Sequence, residues 1–89
     1  MRPDELLTWI RATPFVPFRI VTSDGTAYQV NHPELCMVGI GSAIIGYPDP
    51  RVPGAYDRYD IVSMRHIIRL EPGPAPEPAP SGGGDGNGA

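Results

Sequence analysis

The chain reads as a mainly β domain in which an N-terminal α-helix precedes a five-stranded antiparallel small barrel, with a disordered C-terminal tail behind it. Three observations predict this. Apolar residues recur at helical spacing over residues 3–13, the apolar period changes to two from Phe15 onward, and the last nineteen residues include five Pro and six Gly. A segment of that last composition cannot bury enough apolar surface to offset the entropy of ordering it. The expected boundaries are therefore a helix-plus-barrel domain over residues 1–70 and a Pro/Gly-rich tail over 71–89. A folding unit of that size buries only roughly 60% of the surface its unfolded chain exposes. Self-association is accordingly expected, since pairing edge strands with a neighbour adds buried surface.

Pro3 suits the first helical position, where its missing N–H costs nothing, and Asp4 and Glu5 meet the positive end of the helix dipole. Leu6, Trp9, Ile10 and Thr13 fall on one face, with Leu7 beside it. Pro14 disfavours helical backbone at Thr13 and ends the element. Trp9 on this stripe is expected in the core.

The first hairpin is decided by parity. A two-residue loop of Asp24 and Gly25 would send Phe18 and Ile20 to the face of Gln29 and Asn31. A three-residue loop of Ser23, Asp24 and Gly25 instead pairs Ile20 with Tyr28 and Phe18 with Val30, gathering the large apolar residues on one face. That loop needs Gly25 in the left-handed region, and both Ile20 and Tyr28 are expected to be buried. Pro33 interrupts the chain because it cannot donate to a ladder. A strand over Leu35–Ile40 then turns at Gly41-Ser42, pairing Ile40 with Ala43, Val38 with Ile45 and Cys36 with Tyr47. Gly39 and Gly46 fall on the other face with Met37 and Ile44, a pattern of close backbone approach. Residues 48–55 form a Pro-rich loop. The last strand region begins near Tyr56 or Asp57, with Tyr59 and Ile61 on one face, and Ser63-Met64-Arg65-His66 reads as a tight helical turn where the alternation breaks before Ile67. Short strands joined by tight turns favour a small barrel of SH3-like shape over a sandwich.

The formal net charge of −3 resides in the tail, in Glu71, Glu77 and Asp85. Residues 1–70 balance seven acids against seven Arg, with no Lys. A neutral domain lacks the basic footprint of a strong nucleic-acid binder, and DNA is not expected. Cys36, the only cysteine, excludes an intrachain disulfide. No apolar run follows Arg2-Pro3-Asp4-Glu5 in the manner of a signal peptide, and none is long enough to span a bilayer, so the cytoplasm is expected and a membrane is not.

Pro14-Phe15-Val16-Pro17-Phe18-Arg19-Ile20, with Asp24-Gly25 and His32-Pro33-Glu34, resembles a family of short uncharacterised bacterial proteins, which carries no named activity. The order of helix, Asp-Gly turn, further strands and Ser63-Met64-Arg65-His66-Ile67 is similar to the Sm-like family, bacterial Hfq included. In that family a basic-His signature followed by Ile joins the last two strands, and Met64 stands where Hfq has an aromatic residue. The resemblance implies ring oligomers that bind uridine-rich RNA, with Arg65 and His66 as the RNA-binding pair.

Read by chemistry alone, Arg65 and His66 offer a guanidinium and an imidazole at a turn, suited to phosphate and stacking contacts. Their plainer reading is a solvated cation and a turn-packing histidine. His32, Glu34, Cys36 and His66 are metal-ligand types without metal-site spacing, so no metal or other cofactor is expected. His32 instead reads as a cap on the turn at Pro33, and Cys36 as a small core residue. Ser23, Ser42 and Ser63 lack the context of a nucleophile, and no catalytic residue is assigned. Tyr56, Arg58 and Tyr59 are residue types enriched at interaction hot spots, although a charged edge strand would read the same way. The alternating prolines of 72–80 have polyproline II character, the mark of a spacer or of a ligand for an aromatic groove. The expected function is non-catalytic: a small β module for protein interaction or self-assembly, with Sm-like RNA binding as the alternative.

Overall fold

The computed structural model describes residues 1–74 of the 89. The expectation of a disordered tail falls, from residue 75 onward, outside the described residues.

Helix α1 (Pro3–Ile10) opens with the Arg2 N–H donating to Glu5 Oε1 at 2.8 Å and the Glu5 N–H donating to the Arg2 carbonyl at 3.1 Å. This reciprocal closure satisfies orphan donors of the first turn. Its last bond runs from the Arg11 N–H to the Leu7 carbonyl, so the helix stops three residues before the expected end at Thr13. Arg11, Ala12 and Thr13 are all exposed, and beyond Ile10 there is no apolar side chain left to hold another turn on the core. Leu6 is fully buried, and Trp9 meets Phe18 edge-on at 5.4 Å between ring centroids.

Among the described residues six strands follow, β1 (Phe18–Thr22), β2 (Ala27–Val30), β3 (Cys36–Val38), β4 (Ser42–Pro48), β5 (Tyr56–Ser63) and β6 (Ile67–Pro72). They form two three-stranded antiparallel sheets, ordered β2-β1-β6 and β3-β4-β5, rather than a closed five-stranded barrel. Two 3-10 turns explain the division. Pro33–Leu35 separates β2 from β3, where Pro33 has no N–H for a ladder, and Met64–His66 separates β5 from β6. The second turn matches the break in alternation at Ser63–His66. Strand β6 carries order past residue 70: the Gly73 N–H donates to the Pro17 carbonyl, and Arg19 Nη1 donates to the Pro74 carbonyl.

The β1–β2 register is the one parity selects, Phe18 with Val30 and Ile20 with Tyr28. Gly25 has φ +88°, and the Gly25 and Thr22 amides close the loop onto Thr22 and Thr26 carbonyls, each at 2.9 Å. Ile20 is fully buried, but Tyr28 is only half-buried, against expectation, because it borders an open cleft.

The β3–β4 register differs from the expected one by two residues: Val38 pairs with Ala43 and Cys36 with Ile45. Ser42 is already in the ladder opposite Ser63, and the Gly41 carbonyl accepts from the Met64 N–H at 2.9 Å. Ile40 and Gly41 therefore make the loop, closed by the Gly39 N–H donating to the Ser42 carbonyl at 2.8 Å. Ile40, expected on the inward face, sits at the tip and is 91% exposed. A shift of two preserves which face each strand residue occupies. Cys36, Ala43 and Ile45 therefore still point inward, where they join Leu6, Phe18, Ile20, Val30, Val62, Met64 and Ile67 in one core.

Candidate interaction surface

Inward placement of Ala43, Ile45 and Val62 obliges their neighbours to face out. Met37 lies opposite Ile44, and Ile44 opposite Ile61, giving an apolar row across all three strands of the second sheet. Met37 is 69% exposed and Ile61 70%, while Ile44 between them is half-buried. Directly opposed apolar pairs of this kind hold a sheet together even where water reaches them.

The next row pairs Gly46 with Tyr59, which is 64% exposed. A Cβ at position 46 would collide with Cε2 and Cδ2 of Tyr56, so the glycine is what allows that ring to lie on the sheet. The close approach expected at Gly46 is thus supplied by a tyrosine. Tyr56 Oη donates to the Glu34 carbonyl at 3.3 Å, tying the ring to the first 3-10 turn. Together these residues border a cleft of about 270 Å³, lined by Glu34, Leu35, Met37, Ile44, Gly46, Tyr56 and Tyr59.

Of the three residues singled out on β5, the structure brings Tyr56 and Tyr59 to this cleft and turns Arg58 away. The Arg58 guanidinium stacks on the Tyr47 ring, 4.0 Å from its centroid, and Nη1 donates to Asp60 Oδ2 at 3.1 Å. Tyr47 Oη donates to the same oxygen at 2.9 Å. Burial, and then the bond to Asp60, push the Tyr47 hydroxyl up to about 12. Arg58 is thereby committed to an internal pair rather than offered to a ligand.

Arg65 and His66 are both exposed on the second 3-10 turn. His66 borders a second cleft, of about 280 Å³, with Thr22, Ser23, Asp24, Tyr28, Ile61, Val62 and Ser63; Arg65 does not line it. The His66 carbonyl accepts from the Ser23 N–H at 2.8 Å, which fixes the turn against the first hairpin. Across the cleft, Asp24 Oδ1 accepts from Thr22 Oγ1 at 2.6 Å and from the Thr26 N–H at 3.0 Å. The Thr22 hydroxyl and then the Thr26 amide lower the Asp24 carboxyl to about 2. A fixed negative charge therefore lines the same cleft as His66.

The four metal-ligand types do not converge. His32 occupies the position before the first 3-10 turn but makes no capping hydrogen bond, so its expected role as a cap is not realised. Its extended, exposed backbone leaves the imidazole in solvent. Cys36 is buried in the core, and burial pushes its thiol up to about 11. Among the described residues no group of three His, Cys, Asp or Glu side chains comes together.

Met37, Ile44 and Ile61 are the residues of this surface that were not singled out from the sequence. Their signal was Ala43-Ile44-Ile45, a run apolar on both faces of one strand, which belongs to a sheet with something on either side. No helix among the described residues is long and apolar enough to cross a membrane. The chain matches no family model, no curated protein and no solved structure.

Proposed function

We propose that the chain is a non-catalytic protein-association module of SH3-like character, working in the cytoplasm and joining copies of itself through the outer face of β3-β4-β5. The exposed row of Met37, Ile44 and Ile61, extended by Tyr59 and Tyr56, carries this reading. Contiguous exposed apolar side chains mark association surfaces more reliably than scattered ones. Five side chains on one three-stranded sheet make a contact that forms in proportion to concentration. Light scattering over a concentration series tests it. The apparent mass rises with concentration for the native chain and stays monomeric for Met37→Ser/Ile61→Ser, whose circular dichroism is unchanged. A native chain that remains monomeric throughout would overturn the reading.

A second reading, RNA binding of the Sm-like kind, draws on the exposure of both Arg65 and His66. The Asp24 carboxylate on the cleft that His66 borders opposes it, because a phosphate entering there would meet that charge. A uridine-rich oligonucleotide bound in a salt-sensitive manner, and lost with Arg65→Ala, would favour RNA over association.

A further inference from the structure

We infer that Met37 is a modification site: peroxide converts its thioether to the sulfoxide, and the sulfoxide releases the association through the outer face of β3-β4-β5; this rests on the association reading above. The chain has three Met and one Cys, and the fold exposes their sulfur atoms very unequally. Met64 is 4% exposed in the core, and Met1 packs partly buried against that core, its ammonium donating to the Met64 carbonyl at 3.2 Å. Cys36 is buried, and burial keeps its thiol protonated at neutral pH, raised to about 11, whereas the thiolate is the form a peroxide attacks. Met37, the next residue, points to the opposite side of the same strand and is 69% exposed. The sulfur most open to a solvent oxidant is therefore the one that lies in the association row.

The step needs hydrogen peroxide and nothing else. A sulfur lone pair attacks one peroxide oxygen, and the S–O bond forms as the O–O bond breaks. The proton left on the new hydroxysulfonium passes to the departing hydroxide, giving water. Sulfur loses two electrons and the peroxide gains them. The product turns a flexible apolar side chain into a polar one. Met37 lies opposite Ile44, and Ile44 opposite Ile61, and none of these side chains carries a hydrogen-bond donor. In the separate chain the new oxygen stands in water, so the fold tolerates it. A second copy seated on the row covers that oxygen and leaves a strong acceptor dry and without a partner. The coupling runs both ways. A copy seated over Met37 excludes peroxide, so oxidation proceeds from the dissociated chain and slows as concentration rises.

The test treats the full chain with hydrogen peroxide at neutral pH and follows it by mass spectrometry of proteolytic fragments and by light scattering. Met37 gains one oxygen before Met1 or Met64 does, Cys36 is unmodified, and the melting temperature is unchanged. The concentration at which half of the chain is associated rises about tenfold or more, the effect of burying one acceptor without a donor. Treatment with the two methionine sulfoxide reductases, one for each epimer, returns it to the native value. Met37→Leu, which keeps the apolar volume, associates as the native chain does and no longer responds to peroxide. Oxidised chain that associates at native concentrations would overturn the inference, as would oxidation of Met64 at the rate of Met37. A Met37→Leu chain that peroxide still dissociates would overturn it too. Selective oxidation of Met37 at a rate independent of concentration, in a chain monomeric throughout, would instead remove the association reading and the release with it, leaving the oxidation site alone.

Discussion

Replacing Gly25 by Ala isolates the backbone term of the first hairpin. A Cβ built at Gly25 finds no atom within 4 Å, so the substitution makes no clash and removes no side-chain contact. What it changes is the cost of φ +88°. Left-handed backbone costs an L-residue roughly 1–2 kcal/mol, partly offset because Ala has less freedom than Gly to lose from the unfolded state, a term of about 0.4–1 kcal/mol. The net destabilisation is about 1 kcal/mol, which in a domain of this size lowers the melting temperature by about 4–8 °C. Gly25→Asn costs less, since Asn tolerates the left-handed region. Gly41 is the internal control: it also has no atom within 4 Å of a Cβ, but it is not among the positive-φ glycines. Gly41→Ala is therefore neutral or stabilising. Thermal melts followed by circular dichroism read all three variants. Equal melting points for Gly25→Ala and Gly41→Ala would refute the left-handed assignment, and with it the three-residue loop that places Ile20 opposite Tyr28.

Two further outcomes follow from the titrating groups. Asp24 is held at about 2 in the folded chain against an ordinary 3.8, so the stability it contributes is complete above about pH 4 and is lost as pH falls toward 2. Melting temperature therefore drops over that window and drops less in Asp24→Asn, with Asp49 and Glu71, also lowered by their arginine partners, accounting for acid sensitivity that remains; an identical acid profile in the variant would contradict the assignment. The Cys36 thiol, buried and raised to about 11, does not react with a thiol reagent at pH 8 until the chain is unfolded in urea. Rapid modification of the native protein would show that the core opens at β3.

What could be read from the sequence was whatever parity or a single backbone requirement determined. The first hairpin needed both, since Asp24-Gly25 admitted two loops and only the face of Phe18, Ile20 and Val30 chose between them. At the second hairpin, parity placed Cys36, Ala43 and Ile45 inward correctly, but it is blind to a shift of two residues. That shift is governed by a distant donor, the Met64 N–H on the Gly41 carbonyl. The strand count failed for a related reason. The turn at Met64–His66 was visible in the broken alternation, yet whether the strands flanking it remain in one sheet depends on partners far along the chain. The candidate site was half legible. Tyr56 and Tyr59 stood out by type, whereas Arg58 has the same interface-rich character and is spent on Tyr47 and Asp60.

The charges of β5 determine where recognition falls on the second sheet. Among the described residues β5 pairs with β4 alone, leaving an eight-residue strand with one open edge. An open edge of that length invites strand addition unless charge or twist blunts it. Asp57, Arg58 and Asp60 lie within it, and Arg58 and Asp60 are locked to each other at 3.1 Å, so a strand docking there would have to strip water from both. The flat of the sheet carries no such cost, because Met37, Ile44, Ile61 and Tyr59 present little that must be desolvated. A partner gains more by covering the face than by extending the ladder. That preference is why the association proposed here is predicted to respond to Met37→Ser/Ile61→Ser, which alter the face and leave every backbone donor and acceptor of the edge in place.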